Sequence, residues 1–315
     1  MPQRVQFYVV TLLCLLFSFL FPRIEKLFYH TRLDLLSRTS PPPASPELYW
    51  IGIDDESADH FGGWPLKPEA FSKILIFLEK ANVANLAVAI PPTLLSPSTQ
   101  ELFDKYPFVL KEQEGTPIPI PPGGLTYPLE GFAVLAALKS EHFKSQKMVP
   151  LPSPLWINYR PNPREPILGA SGLGFQAYVE QHENDHKAHE RFRGKTILII
   201  PYSKKHGVLV NTPIGKYLPV GILDLNVINM MLTEKWIRSA STIQIVVLWL
   251  LILSGPHWMA RFGKKIGLRI YFVLILFLLP LSFLALLAGI MFPITWPILA
   301  GLLGWLILKR APATR

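Results

Sequence analysis

The residue types best suited to chemistry fall in two short runs. The first is His182-Glu183-Asn184-Asp185-His186, with His189 following. On one continuous helix, histidines four residues apart face the same way and can share a zinc ion while a glutamate between them activates water. The surroundings oppose that reading. A zincin helix packs an apolar face, whereas residues 181–193 are polar or charged at nearly every position, and the Gly-x-x-His continuation of the metzincins is missing. A solvated segment is therefore expected here. His182, His186 and His189 stand only as metal candidates, and no catalytic residue or cofactor is assigned.

The second run, Asp54-Asp55-Glu56, follows the apolar stretch Leu48-Tyr49-Trp50-Ile51-Gly52-Ile53. That places acids at the carboxyl end of a buried strand, where open α/β sheets bind ligands. Paired carboxylates there can hold a cation or exchange protons. The local alternative is that Asp55 or Ser57 caps the next turn while Asp54 satisfies loop amides. Trp64-Pro65 reads as a packed turn more readily than as a stacking platform. No Gly-rich phosphate loop and no nucleophile elbow is found, so the reading is of a protein that is not an enzyme.

The elements that must position these residues alternate in type. After Glu69, the spacing of Phe71, Ile74, Leu75 and Leu78 predicts an amphipathic helix, and residues 85–90 predict a second strand stopped by Pro91-Pro92. This strand–helix–strand order predicts a parallel pair. Residues 115–124 are Pro-rich and predict an extended loop. Residues 129–138 and 221–233 predict helices, and residues 155–159 and 195–200 predict strands. Strands alternating with helices indicate an α/β fold.

Both ends of the chain are apolar. Residues 5–22 form a nearly unbroken hydrophobic run with no small-x-small cleavage site, so an uncleaved anchor is expected. Residues 243–259, 270–291 and 293–308 approach the roughly 20 residues that a bilayer core requires. The break at 261–269 carries Arg261, Lys264, Lys265 and Arg269 and no acid, while a turn at Phe292-Pro293 makes a hairpin of the last two spans. With Arg4, this break and Lys309-Arg310 all cytoplasmic, the positive-inside rule places residues 23–240 outside the membrane. Gly289, Gly301 and Gly304 would allow close helix approach. The expected architecture is thus an α/β extracytoplasmic domain combined with four transmembrane α-helices.

Composition agrees with this division. The 315 residues are 50% hydrophobic and only 17% charged, and the net charge is +9. Because many of the cations border the apolar runs, membrane topology accounts for them and a nucleic-acid footprint is not indicated. The single cysteine, Cys14, excludes any disulfide within the chain. No Asp, Glu, Lys or Arg interrupts the apolar spans, which argues against an ion pathway.

The stretch Tyr49 to Ser57, the turn Phe61-Gly62-Gly63-Trp64-Pro65, the block Phe192 to Ile199, Thr212-Pro213 and the segment holding Asn226, Ile228 and Asn229 together resemble the type-2 CHASE domain. This is an extracytoplasmic sensory module of bacterial receptors, laid out as one helix, the sensory domain, then three helices. The resemblance implies a multi-pass sensor in the bacterial inner membrane. It also implies ligand-binding candidates at Asp54, Asp55, Trp64, Thr212 and Asn226. Three departures stand out. Ala89-Ile90 replaces an expected aspartate, Asp224 stands where a histidine is common, and the acidic-Gly-Val-Val-Arg block is missing. Within this chain no output domain follows the last helix, so signalling is expected to run through a separate signalling or envelope protein, with homodimerisation open. The alternatives are a non-sensing structural or interaction protein of the envelope and, as a minor one, a zinc-dependent hydrolase.

Overall fold

The computed structural model describes residues 3–20, 22–111, 126–127, 132–140, 155–159, 168–203, 209–292 and 294–310. The chain divides into two compact units, Ser37–Trp236 and a unit made of Met1–Leu36 with Ile237–Arg315. The expected loop at 115–124 lies outside the described residues.

The central unit is mixed α/β. Its strands in chain order are β1 (Leu48–Ile53), β2 (Asn85–Val88), β3 (Val109–Lys111), β4 (Thr126–Tyr127), β5 (Leu155–Trp156), β6 (Gly169–Ser171), β7 (Thr196–Pro201), β8 (Leu209–Thr212) and β9 (Gly215–Pro219). Five of them form one sheet in the order β3-β2-β7-β1-β6, every neighbour parallel. The expected β1–β2 pair is therefore parallel in sense but not adjacent, because β7 lies between them. Both central partners of β7 are hydrophobic on each face, so pattern alone could not exclude that insertion. β4 with β5 and β8 with β9 form separate antiparallel pairs.

Strand alternation sorts the side chains onto two cores. Ile51, Ile53, Leu86, Val88, Ile197 and Ile199 face helices Glu69–Lys80 and Gly172–His182. Leu48, Trp50, Ala87, Leu198 and Ile200 face helices Phe132–Leu138 and Gly221–Leu232. The helix Glu69–Lys80 buries Phe71, Ile74, Leu75 and Leu78, as its period predicts. Each such fully buried side chain contributes about 1.5–3 kcal/mol. Helix Gly221–Leu232 is different, since all twelve of its residues are buried. Its Asn229 accepts from Ser45 N at 2.8 Å and donates to Pro43 O at 2.9 Å, tying the segment before β1 to this helix.

In the second unit, helix Gln3–Leu20 packs against Thr295–Arg310, and Lys264–Leu287 packs against both Gly255–Phe262 and Thr295–Arg310. Its core joins Phe7, Leu248, Ile252, Tyr271, Ile275 and Ala300, and the Tyr271 hydroxyl donates to Ile252 O at 2.8 Å. Gly301 and Gly304 do lie at close approaches, because a Cβ on Gly304 would stand 2.5 Å from Phe7 Cε2 and one on Gly301 would collide with Ile275. Two short strands, β10 (Arg238–Ser239) and β11 (Ile290–Met291), pair in parallel where a plain hairpin turn was expected.

The spans themselves need correction. Among the described residues one helix, Lys264–Leu287, is long and apolar enough to cross a membrane, or two spans if Thr242–Leu253 and Gly255–Phe262 count as one. That pair bends by 44°. Pro256 supplies the break, since it has no N–H to give to Ile252 O, and the Ser254 hydroxyl donates to Leu251 O and accepts from the indole N–H of Trp258 beside it. Helix Thr295–Arg310 has only 16 residues. The basic stretch 261–269 is mostly helical rather than a loop. Gly263, at φ 76°, makes the whole turn between Gly255–Phe262 and Lys264–Leu287.

Candidate functional site

At the carboxyl ends of β1, β6 and β7 the acids of the first strand are engaged within the chain. Asp54 is the N-cap of helix Asp55–His60, its Oδ1 accepting from Ser57 N at 2.9 Å. The buried Ser57 Oγ accepts in turn from Leu173 N at 3.1 Å, linking this turn to the start of Gly172–His182. Asp55 Oδ1 accepts from the buried Ser203 Oγ at 2.5 Å, just beyond β7. The cap thus falls to Asp54 rather than to Asp55 or Ser57. Together these bonds fasten three strand ends.

The other sequence-derived candidates lie elsewhere. Trp64 precedes a cis bond to Pro65 and packs against the core of the Glu69–Lys80 face. Thr212 Oγ1 donates to Gly215 O at 3.2 Å inside the β8–β9 hairpin. Asn226 is fully buried and donates to Ile222 O at 2.8 Å, within a helix on the opposite face of the sheet. The five residues are therefore spread over both faces and do not converge.

The histidines do not share one helix. Gly172–His182 ends at the first of them, and Asp185 caps a new helix, His186–Glu190, by accepting from Lys187 N at 2.9 Å. Asp185 in the middle of the motif is a better cap than a helix-interior residue, which is why the run breaks there. His182 Nδ1 lies 3.5 Å from Asp185 Oδ2, and His186 Nε2 lies 3.5 Å from Glu190 Oε1. His189 turns inward onto Phe77, with ring centroids 4.7 Å apart. Among the described residues no group of three or more His, Cys, Asp or Glu could hold a metal ion.

A concave site does exist at the other end of the strands. Tyr49, Leu168, Gly169, Tyr178, Arg191, Phe192 and Lys195 enclose about 160 Å³ near the amino ends of β6 and β7. Aromatic contacts build its wall: Tyr49 meets Phe192 edge-on at 5.1 Å, and Tyr178 lies 5.9 Å from Phe192. Among the described residues neither Arg191 nor Lys195 is ion-paired, and no carboxylate lines the pocket. Burial pushes the Lys195 amine below the ordinary lysine range, and the Arg191 guanidinium pushes it further the same way. Burial raises the Tyr49 hydroxyl, with Arg191 opposing and Tyr178 adding. Two unneutralised cations beside two phenols and an apolar wall can receive a small anion with an apolar body. Sequence reasoning missed this site because its cations, its tyrosines and Leu168 come from separate segments. The one local signal was the alternation of Arg191, Arg193 and Lys195 just before β7.

Compared with family models, with curated proteins and with solved structures, the chain finds no match.

Proposed function

We propose that this protein is a bacterial inner-membrane sensor. Its α/β unit stands outside the membrane, and its helices, proposed as four spans with Thr242–Leu253 and Gly255–Phe262 counted as one, carry a change in that unit to a separate signalling or envelope partner. The observation that carries this reading is the outward face of the helical unit. Ile243 is 76% exposed, Val273 64%, Leu250 60% and Leu12 58%, and many other large apolar side chains of these helices also face outward. Water penalises such a belt at about 25 cal/mol per Å² of apolar surface, whereas lipid does not. Residues 261–269 and Lys309-Arg310 supply the cations that orient the helices.

The α/β unit, with its likeness to a type-2 CHASE module, supplies the sensing part. The pocket of Tyr49, Arg191 and Lys195 gives it a place to bind a small anion, and a ligand preferring one arrangement of the unit would shift its population. A non-sensing structural role draws support from a different observation. Ala89 and Ile90, where the sensory family carries an aspartate, are buried apolar residues. The zinc-hydrolase reading loses the single helix it needed.

Topology tests the proposal directly. In a Cys14→Ser background, Glu56→Cys on the α/β unit and Arg261→Cys on the helical unit provide two single thiols. With a membrane-impermeant maleimide, Glu56→Cys should label in intact spheroplasts and Arg261→Cys only after lysis. The reverse pattern, or labelling of both before lysis, would refute it.

A further inference from the structure

Residues 235–315 contain no Asp and no Glu, yet they hold nine Lys and Arg residues. Three of these cations meet in one groove. Lys265 and Arg269 are four residues apart on helix Lys264–Leu287, and so share a face with Leu268 and Phe272. Trp305 and Lys309, also four apart, come from helix Thr295–Arg310. These six residues enclose about 260 Å³. Phe272 and Trp305 meet in its wall, with ring centroids 5.1 Å apart. Lys309 Nζ lies 5.0 Å above the Trp305 ring.

The groove is thus lined by three cations and three apolar side chains. Among the described residues no ion pair neutralises Lys265, Arg269 or Lys309, and residues 235–315 hold no acid to do so. Like charges held together favour an external anion that relieves their repulsion. An inorganic ion would answer the cations but leave Leu268, Phe272 and Trp305 uncovered. An amphiphile answers both, and basic clefts between helices at the cytoplasmic face of a bilayer suit anionic headgroups.

We propose that this groove binds the phosphate of an anionic glycerophospholipid, with Lys265, Arg269 and Lys309 holding the phosphate and Leu268, Phe272 and Trp305 covering the first part of the acyl chains. The proposal rests on the membrane reading given above. Native mass spectrometry of the full chain in detergent, with phosphatidylglycerol or phosphatidylcholine added, tests it. Wild type should retain phosphatidylglycerol, and the triple variant Lys265→Gln/Arg269→Gln/Lys309→Gln should retain at least about tenfold less, given three lost headgroup contacts. Lys264→Gln, outside the groove, should retain as much as wild type. Equal retention of both lipids overturns the proposal, as does undiminished retention by the triple variant. So does displacement of the lipid by inorganic phosphate at matched concentration, which would make the free ion the ligand. Flotation of the full chain with phosphatidylcholine vesicles separates the two readings. A chain that floats without lipid preference loses only the groove, whereas one that does not float loses the membrane reading as well.

Discussion

Lys195 is a cation held where its charge is unfavourable, and this has a consequence that can be measured. An amine kept below its ordinary pKa binds fewer protons in the native chain than in the unfolded one between the two values, so stability rises with pH across that interval. Tyr49 acts in the opposite sense. Its stabilisation is complete below the ordinary tyrosine value and is lost as pH climbs through the raised one. Lys195→Gln should therefore be more stable than wild type on the acid side of the lysine interval, with the difference closing as pH rises through it. Denaturant unfolding of the full chain over a series of alkaline pH values checks this; parallel curves for the two proteins would sink it. Benzoate, as an anionic probe, should flatten the wild-type rise by pairing the amine, while neutral benzamide should not. At this scale the sequence was a poor guide. The acids at Asp54 and Asp55 were conspicuous; the Asp54 bond to Ser57 N is local and open to sequence reasoning, but the Asp55 partner, Ser203 Oγ, is 148 positions away and leaves no local trace.

Elements were far more legible than their neighbours. The apolar period of Glu69–Lys80 and the continuous apolar runs of β1 and β7 are local properties, and each became the element its pattern implied. Strand order is not local, so the position of β7 between β1 and β2 was beyond reach. The bend after Leu253 did have a local signal, because Gly255-Pro256 cannot continue a helix, but the apolar run around it reads as one span by length and composition. Small residues in the last helix did carry usable information. Gly304 lets Thr295–Arg310 approach Phe7 of the first helix so closely that a side chain has no room. Gly304→Leu should cost about 1–3 kcal/mol through overpacking, and Phe7→Ala in the same chain should return part of that loss by opening space. Thermal unfolding in detergent of the two single variants and the double reads the coupling. Strict additivity would mean that the two helices do not meet as described.

At the scale of the whole molecule, the two ends of the chain form one unit and its middle forms another. This division was visible as the change from apolar ends to a charged centre, because a bilayer and water select opposite surfaces. Each unit also has a core of its own. In Ser37–Trp236, the two faces of the sheet are covered by helices of the same unit, including the wholly buried Gly221–Leu232. A segment that buries its own apolar surface and holds its own hydrogen-bonded ties, such as Asn229 to Ser45 and Pro43, meets the conditions for folding alone. Residues 37–236 expressed without the helices should therefore stay soluble and lose circular dichroism in one cooperative thermal step. Amide exchange in that fragment should be slowest in β1 and β7, which are central and buried, and in Gly221–Leu232. Fast exchange throughout, or loss of signal without a transition, would show that the α/β unit depends on the helical one. A cooperative transition would also permit a sharper comparison, since benzoate stabilisation of the isolated fragment equal to that of the full chain would locate anion binding within the α/β unit alone.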